Sequence, residues 1–138
     1  MKIIKILFAI VLVFGVAQAS AQGRKADNVY KTTVYAVGVA TSFNDSIAYC
    51  TEMQELNDTE LDRKMYLHRR SGYSFQLRDH LAAQGRQNYT CVILFDANKS
   101  KLEKEVVRVK NRFAKDNIKL LEIKESEFKF TKPEELNF

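Results

Sequence analysis

The feature that most constrains the fold is a strand–helix–strand pattern between residues 89 and 123. The apolar run YTCVILFD (89–96) is bounded by polar residues, which is typical of a central strand covered on both faces. The helix predicted after it carries a single apolar stripe at helical spacing, and IKLLEI (118–123) is the next strand. The stripe consists of Leu102, Val106, Val109 and Phe113. Together these segments predict a βαβ unit with a right-handed crossover.

A second pattern, over residues 34–56, predicts a β-hairpin. VYAVGVATSF (34–43) alternates β-branched or aromatic residues with small ones, as a strand does. The small face, which includes Gly38, indicates that something packs close to the backbone there. Asn44 and Asp45 form a turn signal, and SIAYCTEMQEL (46–56) is the returning strand. The register stays open, because loops of two and of three residues place Tyr49 on opposite faces.

Between the hairpin and the βαβ unit, the sequence predicts a long connection and a helix. Residues 57–72 are charged and lack clean periodicity, so they predict an exposed connection that is functional or holds a short helix. YSFQLRDHLAAQG (73–85) predicts a helix, since Leu77 and Leu81 are one turn apart. Gly85 suits the left-handed position after the end of that helix.

The predicted fold class is α+β. The element order is β-β-α-β-α-β, and EFKFT (127–131) adds an edge strand because Phe128 and Phe130 alternate with charges. The economical architecture is a two-layer α/β sandwich, in which a mixed sheet of four to five strands carries two helices on one face. The other face would be partly open and available for a homodimer or another partner.

The first 21 residues predict a secretory signal peptide. Lys2 and Lys5 precede an uncharged apolar stretch, residues 6–17, and small residues surround a cleavage position after Ala21. A membrane anchor is the alternative, but a span needs about 20 apolar residues, more than this stretch contains. Cleavage predicts an exported protein, periplasmic or secreted, without a transmembrane segment. The chain then divides into a signal peptide (1–21), an N-terminal arm (22–32), a single α/β domain (33–131) and a C-terminal tail (132–138).

Charge and cysteine content exclude some classes of partner and site. Cleavage leaves 20 basic and 17 acidic residues, and a net charge of +3 is too weak to imply a nucleic-acid partner. Cys50 and Cys91 would meet an oxidising compartment, where a disulfide would close a loop of about 40 residues. The alternative, two small buried side chains in strands, is favoured because cross-strand neighbours are slightly too far apart for good disulfide geometry. Only His68 and His80 could join them as zinc ligands, without short ligand spacing, so no metal site is predicted.

No nucleophile motif and no phosphate-binding glycine loop occurs, so the sequence predicts neither a catalytic residue nor a cofactor. Asp96 is open to three interpretations. It turns the chain before the helix, or it belongs to an anion site with Ser100 and Lys101 at the helix start, or it is a catalytic acid. A catalytic acid would require Asp45 close to Asp96, and this is possible only if the first and third predicted strands are parallel. The turn is favoured because it needs no missing partner, and Ser100 with Glu103 adds a capping-box pattern.

Basic residues gather in and beside the long connection. They are either a solvated surface or a patch for an anionic partner, such as a cell-envelope polymer. The group contains Arg63, Lys64, His68, Arg69, Arg70 and Arg78. Asp96, Ser100, Lys101, Arg69 and Arg70 are therefore the candidate ligand-binding residues.

The chain resembles the uncharacterised small exported proteins of Gram-negative bacteria. The stretches that carry the resemblance are AQASAQ, VYAVGVATSFNDS, YSFQLRDHLAAQG and CVILF, and it implies no activity. VYAVGVATSFND and FDANKSKLEKEVVRVKNRFAKDNIK are more loosely similar to the sporulation-related repeat domain, which binds cell-wall glycan through a small sheet backed by two helices. We expect a non-enzymatic interaction or ligand-binding module of the cell envelope, with a protein or an anionic envelope polymer as partner. The alternatives are a glycan-binding domain and a small enzyme that uses Asp96 and Asp45.

Overall fold

The computed structural model describes residues 29–134, so the predicted signal peptide, most of the predicted N-terminal arm and the last four residues lie outside it. The elements follow the order β-β-β-α-β-α-β, which confirms the predicted α+β class with a mixed sheet and two helices. The strands are β1 (Val29–Thr41), β2 (Ile47–Thr51), β3 (Gln54–Asp62), β4 (Thr90–Asp96) and β5 (Lys119–Ile123). The helices are α1 (Arg70–Ala83) and α2 (Lys99–Lys115).

Three predicted boundaries differ from the observed ones. Residues 29–32, predicted as part of the N-terminal arm, belong to β1. Much of the predicted connection 57–72 is ordered, because β3 runs to Asp62 and α1 begins at Arg70. The polar composition of β3 explains the error. Its buried positions alternate in two short runs that are out of phase, and polar residues, Gln54 and Thr59, occupy two of these positions, so the sequence shows no apolar alternation.

β1 is the centre of the sheet, because both of its edges are paired. β4 pairs antiparallel with one edge of β1. β2 and β3 both pair antiparallel with the other edge, each along a different part of it. β5 then pairs parallel with β2, which makes the sheet mixed. β4 is therefore an edge strand and not the predicted central strand. It is nevertheless apolar because it contacts both cores: Ile93 belongs to the core beneath one helix and Leu94 packs against the core beneath the other.

The two helices lie on opposite faces of the sheet, whereas the sequence predicted them on one face. Ala40 of β1 packs in the same core as Leu77 of α1, while its neighbour Val39 packs in the same core as Leu102 of α2. Adjacent residues of a strand point to opposite faces, so the sheet lies between the helices. The open face that was expected for a homodimer therefore carries a helix.

α1 approaches β1 closely because the residues of β1 that face it are small. A Cβ atom added at Gly38 would lie 2.7 Å from Cδ2 of Leu77 and 2.9 Å from Cζ of Phe130. This confirms the expectation that something packs close to the backbone at the small face of the strand.

The returning strand of the predicted hairpin is interrupted between β2 and β3. Thr51 Oγ1 accepts a hydrogen bond from the N–H of Gly38 at 2.8 Å, in place of a backbone carbonyl. The N–H of Glu52 instead donates to the carbonyl of Ile123 in β5 at 2.9 Å. The end of β2 is thus hydrogen-bonded to β5, whereas β3 is paired with β1. Glu52 and Met53 lie at the break between β2 and β3.

The C-terminal segment, residues 128–133, is an extended strap on the α1 side of the sheet and not the predicted edge strand. Phe128 and Phe130 are buried in the α1-side core, as their alternation with charges suggested. The backbone of the strap pairs with a side chain: Gln54 Nε2 donates to the carbonyl of Phe128 and Gln54 Oε1 accepts from the N–H of Phe130, both at 2.8 Å.

A second glutamine, from α1, holds the next residue of the strap in the same way. Gln76 Nε2 donates to the carbonyl of Thr131 at 2.7 Å, and Gln76 Oε1 accepts from its N–H at 3.0 Å. The strap then continues to Pro133, whose carbonyl accepts from Arg69 Nη1 at 3.0 Å. Part of the predicted C-terminal tail is therefore integrated into the domain.

Candidate functional site

Asp96 turns the chain at the end of β4. Its Oδ1 accepts a hydrogen bond from the N–H of Asn98 at 2.7 Å, which is the favoured one of the three interpretations. Asn98 is the N-cap of α2, because its side chain accepts from the N–H of Lys101. The predicted capping box at Ser100 is therefore wrong, and Ser100 lies inside the first turn.

Asp45 does not reach Asp96, because β1 and β4 are antiparallel. Asp96 is opposite Tyr35, whereas Thr41 is opposite Thr90, six residues along the sheet. At a rise of about 3.4 Å per residue these two ends of the ladder are roughly 20 Å apart. Asp45 lies beyond Thr41, so its carboxylate is far from that of Asp96. The parallel pairing of these strands, which an enzyme using both carboxylates would need, is therefore not observed.

Arg69 and Arg70, the other candidate ligand-binding residues, lie at the start of α1. Arg69 adopts left-handed backbone angles (φ 57°) as the N-cap residue and holds the strap through Pro133, while Arg70 is exposed. Since α1 and α2 lie on opposite faces, the structure does not gather these arginines into one site with Asp96 and Lys101. Ligand binding by either group stays a prediction.

An open groove of about 420 Å³ lies between α2 and the sheet, at the break between β2 and β3. Its apolar lining is Val37, Met53, Val106 and Val107. Its polar lining is Thr51, Glu52, Glu103, Glu122, Lys99 and Lys110. Val37 is a buried core residue and forms the floor, whereas Val107 is 55% exposed.

The groove was missed from the sequence because its sheet side is made by the strand break. The loss of alternation at Glu52 and Met53, between the buried Thr51 and Gln54, was the available signal. Chemically, the groove offers an apolar floor with charges of both signs at its rim. The lining hydroxyl of Thr51 already accepts a backbone hydrogen bond, so it is not poised as a nucleophile.

The two cysteines are not joined in the structure, and Cys50 is buried whereas Cys91 is half-buried. Cys50 in β2 is opposite Val39, and Cys91 in β4 is opposite Ala40, so the central strand β1 separates them. They also point to opposite faces, which makes a disulfide geometrically impossible. Burial raises the pKa of the Cys50 thiol, and it raises the pKa of Cys91 to about 11.

A tyrosine–carboxylate contact joins the β1–β2 turn to the segment before β4. Tyr89 Oη donates to Asp45 Oδ2 at 3.0 Å, and its ring meets that of Tyr49 edge-on, with centroids 5.3 Å apart. Burial, and then the hydrogen bond to Asp45, raise the pKa of Tyr89 to about 12. Asp45 also accepts a hydrogen bond from the N–H of Ile47, so its carboxylate anchors this end of the molecule.

The turn after β3, residues 63–66, is ordered around one carboxylate. Asp62 Oδ1 accepts from the N–H groups of Lys64 and Tyr66, each at 2.9 Å. The N–H of Met65 donates to the carbonyl of Asp62 at 2.9 Å, and Met65 itself is left-handed (φ 63°). Sequence reasoning treated this stretch as loop and missed its defined shape.

Within residues 29–134, no group of three or more His, Cys, Asp or Glu side chains is arranged to hold a metal ion. No helix in the same range is long and apolar enough to cross a membrane. Comparison with known proteins finds no matching family model and no significant match among curated proteins or solved structures. The function must therefore be argued from the residues of this chain.

Proposed function

We propose that the chain is an exported, non-enzymatic interaction module of the cell envelope that binds a protein segment in the groove beside α2. The observation that carries the proposal is the composition of the groove, an apolar floor with a rim of both charge signs. This combination is typical of sites where protein surfaces recognise each other. Export is supported by the N-terminal sequence pattern, which lies outside the described residues.

The groove fits a segment that carries one apolar side chain between charged residues. Val37 and Met53 would contact the apolar side chain, and contact with the exposed Val107 would remove that side chain from water. Lys110 and Glu122 at the rim would pair with charges on either side of it. Such exposed ion pairs contribute only about 0–1 kcal/mol each, so they set orientation more than affinity.

A protein segment is favoured over cell-wall glycan because none of the described residues that line the groove is aromatic. Aromatic rings, which combine an apolar face with rigidity, are the usual platform for sugar rings. A glycan partner is nevertheless a definite outcome of the experiment below.

The test compares two half-exposed apolar residues on helices, only one of which lines the groove. The mature chain, Val107→Lys and the control Phe75→Lys (Phe75 is 50% exposed on α1) are each immobilised and offered envelope extract. The same protein partner should bind the unchanged chain and the control, and Val107→Lys should lose at least about tenfold in affinity. Such a tenfold loss corresponds to about 1.4 kcal/mol.

Two outcomes would contradict the proposal. A partner that binds Val107→Lys as well as the control would exclude the groove as the site. Binding of purified sacculi that is lost in Val107→Lys alone would replace the protein partner by glycan. Export is checked separately by sequencing the N-terminus of protein recovered outside the cytoplasm, which should begin near Gln22.

A further inference from the structure

The turn after β3 places cationic and apolar side chains together at one end of the molecule. Residues 63–66 form this turn, and Tyr30 lies beside it because β1 pairs Tyr30 with Leu61 of β3. Leu61 in turn bridges to Leu67, the residue that follows Tyr66. We refer to this group as the basic tip. It comprises Tyr30, Arg63, Lys64, Met65 and Tyr66.

The apolar residues of the basic tip are exposed to an unusual degree. Tyr30 is 55%, Met65 58% and Tyr66 56% exposed, although side chains of this size normally bury most of their surface. Within residues 29–134, the other large apolar side chains that are at least half exposed lie in other elements, and one of them, Phe43 in the β1–β2 turn, is fully exposed. They are Phe43, Phe75, Val92 and Val107.

The conformation of the turn does not depend on these side chains. The carboxylate and backbone of Asp62 make the hydrogen bonds that hold the turn, including one from its N–H to the carbonyl of Tyr66 at 3.0 Å. The side chains of the basic tip are thus presented on a preformed scaffold, which lowers the entropic cost of binding.

The charge of the basic tip is not neutralised by its surroundings. Neither Arg63 nor Lys64 forms an ion pair with a residue that the structure describes. The neighbouring carboxylates of Asp58 and Glu60 face Lys132, at 3.5 and 3.7 Å. The third nearby carboxylate, that of Asp62, accepts N–H groups of the turn and keeps its negative charge, so Arg63, Lys64 and Asp62 together carry a net charge of +1. The tip therefore presents two unpaired cations beside exposed apolar residues, on a weakly positive turn.

We propose that the basic tip docks the domain onto the surface of an anionic membrane. Arginine and lysine are attracted by anionic headgroups, and tyrosine rings favour the boundary between headgroups and acyl chains. Met65 supplies the apolar side chain that enters this boundary. A soluble polyanion would use Arg63 and Lys64 but would gain little from exposed tyrosines and methionine. The inference concerns a different surface from the groove and does not depend on the groove's partner.

The experiment measures binding of the chain from Gln22 to phosphatidylcholine vesicles with and without phosphatidylglycerol. One double variant, Arg63→Glu with Lys64→Glu, reverses the charge, and another, Met65→Asn with Tyr66→Ser, removes the apolar contact. Asn is chosen at position 65 because it tolerates left-handed backbone angles. Lys104→Glu with Arg108→Glu is the control, since it changes the net charge equally on the solvent side of α2.

The unchanged chain and the control should float with the anionic vesicles and not with the neutral ones. Each tip variant should bind the anionic vesicles at least about tenfold more weakly, while circular dichroism shows that its fold is retained. Three results would overturn the inference. These are no binding of the unchanged chain, equal losses in the control and the charge-reversed variant, and full binding of the apolar variant. If the apolar variant binds fully and the chain also binds sacculi, the ligand of the basic tip would be an anionic polymer and not a membrane.

Discussion

Gln54 is an uncharged polar side chain inside a core, only 1% exposed. Its amide satisfies the carbonyl of Phe128 and the N–H of Phe130, two groups of the strap that are themselves buried. Buried polar groups are tolerated when they are hydrogen-bonded and are strongly destabilising when they are not. The position of the strap and the identity of residue 54 are therefore linked.

We expect Gln54→Leu to lower the free energy of unfolding by about 2–4 kcal/mol, because it leaves both strap groups without a partner. Gln76→Leu is the matched control. It removes the same pair of hydrogen bonds from Thr131, but these are exposed and water replaces them. The loss there should stay within about 1 kcal/mol. Urea unfolding measures both, and equal losses would contradict the argument.

Tyr89 should make the stability of the protein depend on pH in the alkaline range. Its pKa is raised to about 12 by burial and by the hydrogen bond to Asp45, against about 10 for a free tyrosine. The protonated form is the one stabilised by folding. Its contribution is therefore complete below pH 10 and is lost as the pH rises through 12.

We expect Tyr89 to ionise late in an ultraviolet titration of the folded protein, and Asp45→Asn to shift its ionisation back towards pH 10. Tyr89→Phe should remove this part of the late absorbance change and leave that of Tyr73, whose pKa is also raised by burial. It should also remove the part of the stability loss that falls between pH 10 and 12. An unchanged titration curve in Asp45→Asn would show that the hydrogen bond has no influence on the pKa.

At the scale of the elements, the contact between α1 and β1 depends on Gly38. We expect Gly38→Ala to destabilise the protein by about 1–3 kcal/mol, because the new methyl group overlaps Leu77 and Phe130. Gly85→Ala is a control with a different physical cause. It meets no atom within 4 Å but places a side chain at φ +81°, so only backbone strain is added, about 1 kcal/mol. A Gly38→Ala protein as stable as the parent would show that α1 shifts to make room.

The order of the strands determines the behaviour of the cysteines. Because β1 separates Cys50 from Cys91, two thiols should titrate in the denatured protein without reductant. In the folded protein, raised pKa values keep both thiols protonated at neutral pH, so alkylation should be slow. Replacing either cysteine by alanine should destabilise the protein by about 1 kcal/mol, against about 2–5 kcal/mol for a lost disulfide. Finding no free thiol after denaturation would contradict the strand order.

The elements that sequence reasoning identified are those with a strong periodic signal. The α2 stripe, the left-handed residue Gly85 that follows α1, and the β1 alternation all correspond to observed structure. β3 was not identified because only two of its nine residues, Leu56 and Leu61, are apolar. The strap was assigned as a strand because Phe128 and Phe130 alternate, and alternation does not reveal that glutamine side chains replace the ladder.

At the scale of the whole molecule, the class of fold follows from the order of its elements, but the layering does not. Both faces of β1 are apolar, one with small and one with branched residues, and a sequence pattern does not assign a helix to each. The groove depends on the same long-range information. Val37 and Glu122 lie far apart in sequence, and only the pairing of β1, β2 and β5 brings them to one cleft.

The strap also has a consequence for the order in which the molecule can be completed. Phe128 and Phe130 are the last members of the α1-side core along the chain, so in the export that we propose, with the N-terminus crossing first, they would arrive after the rest of that core. A translocating chain stopped before Phe128 should be digested readily by a protease on the far side, and one lengthened at its C-terminus so that Pro133 has crossed should resist; equal digestion would refute this. Until the strap arrives, the buried amide of Gln54 has no backbone to bind. If the chain is exported as we propose, its fold would therefore be completed only after the C-terminal segment has crossed the membrane.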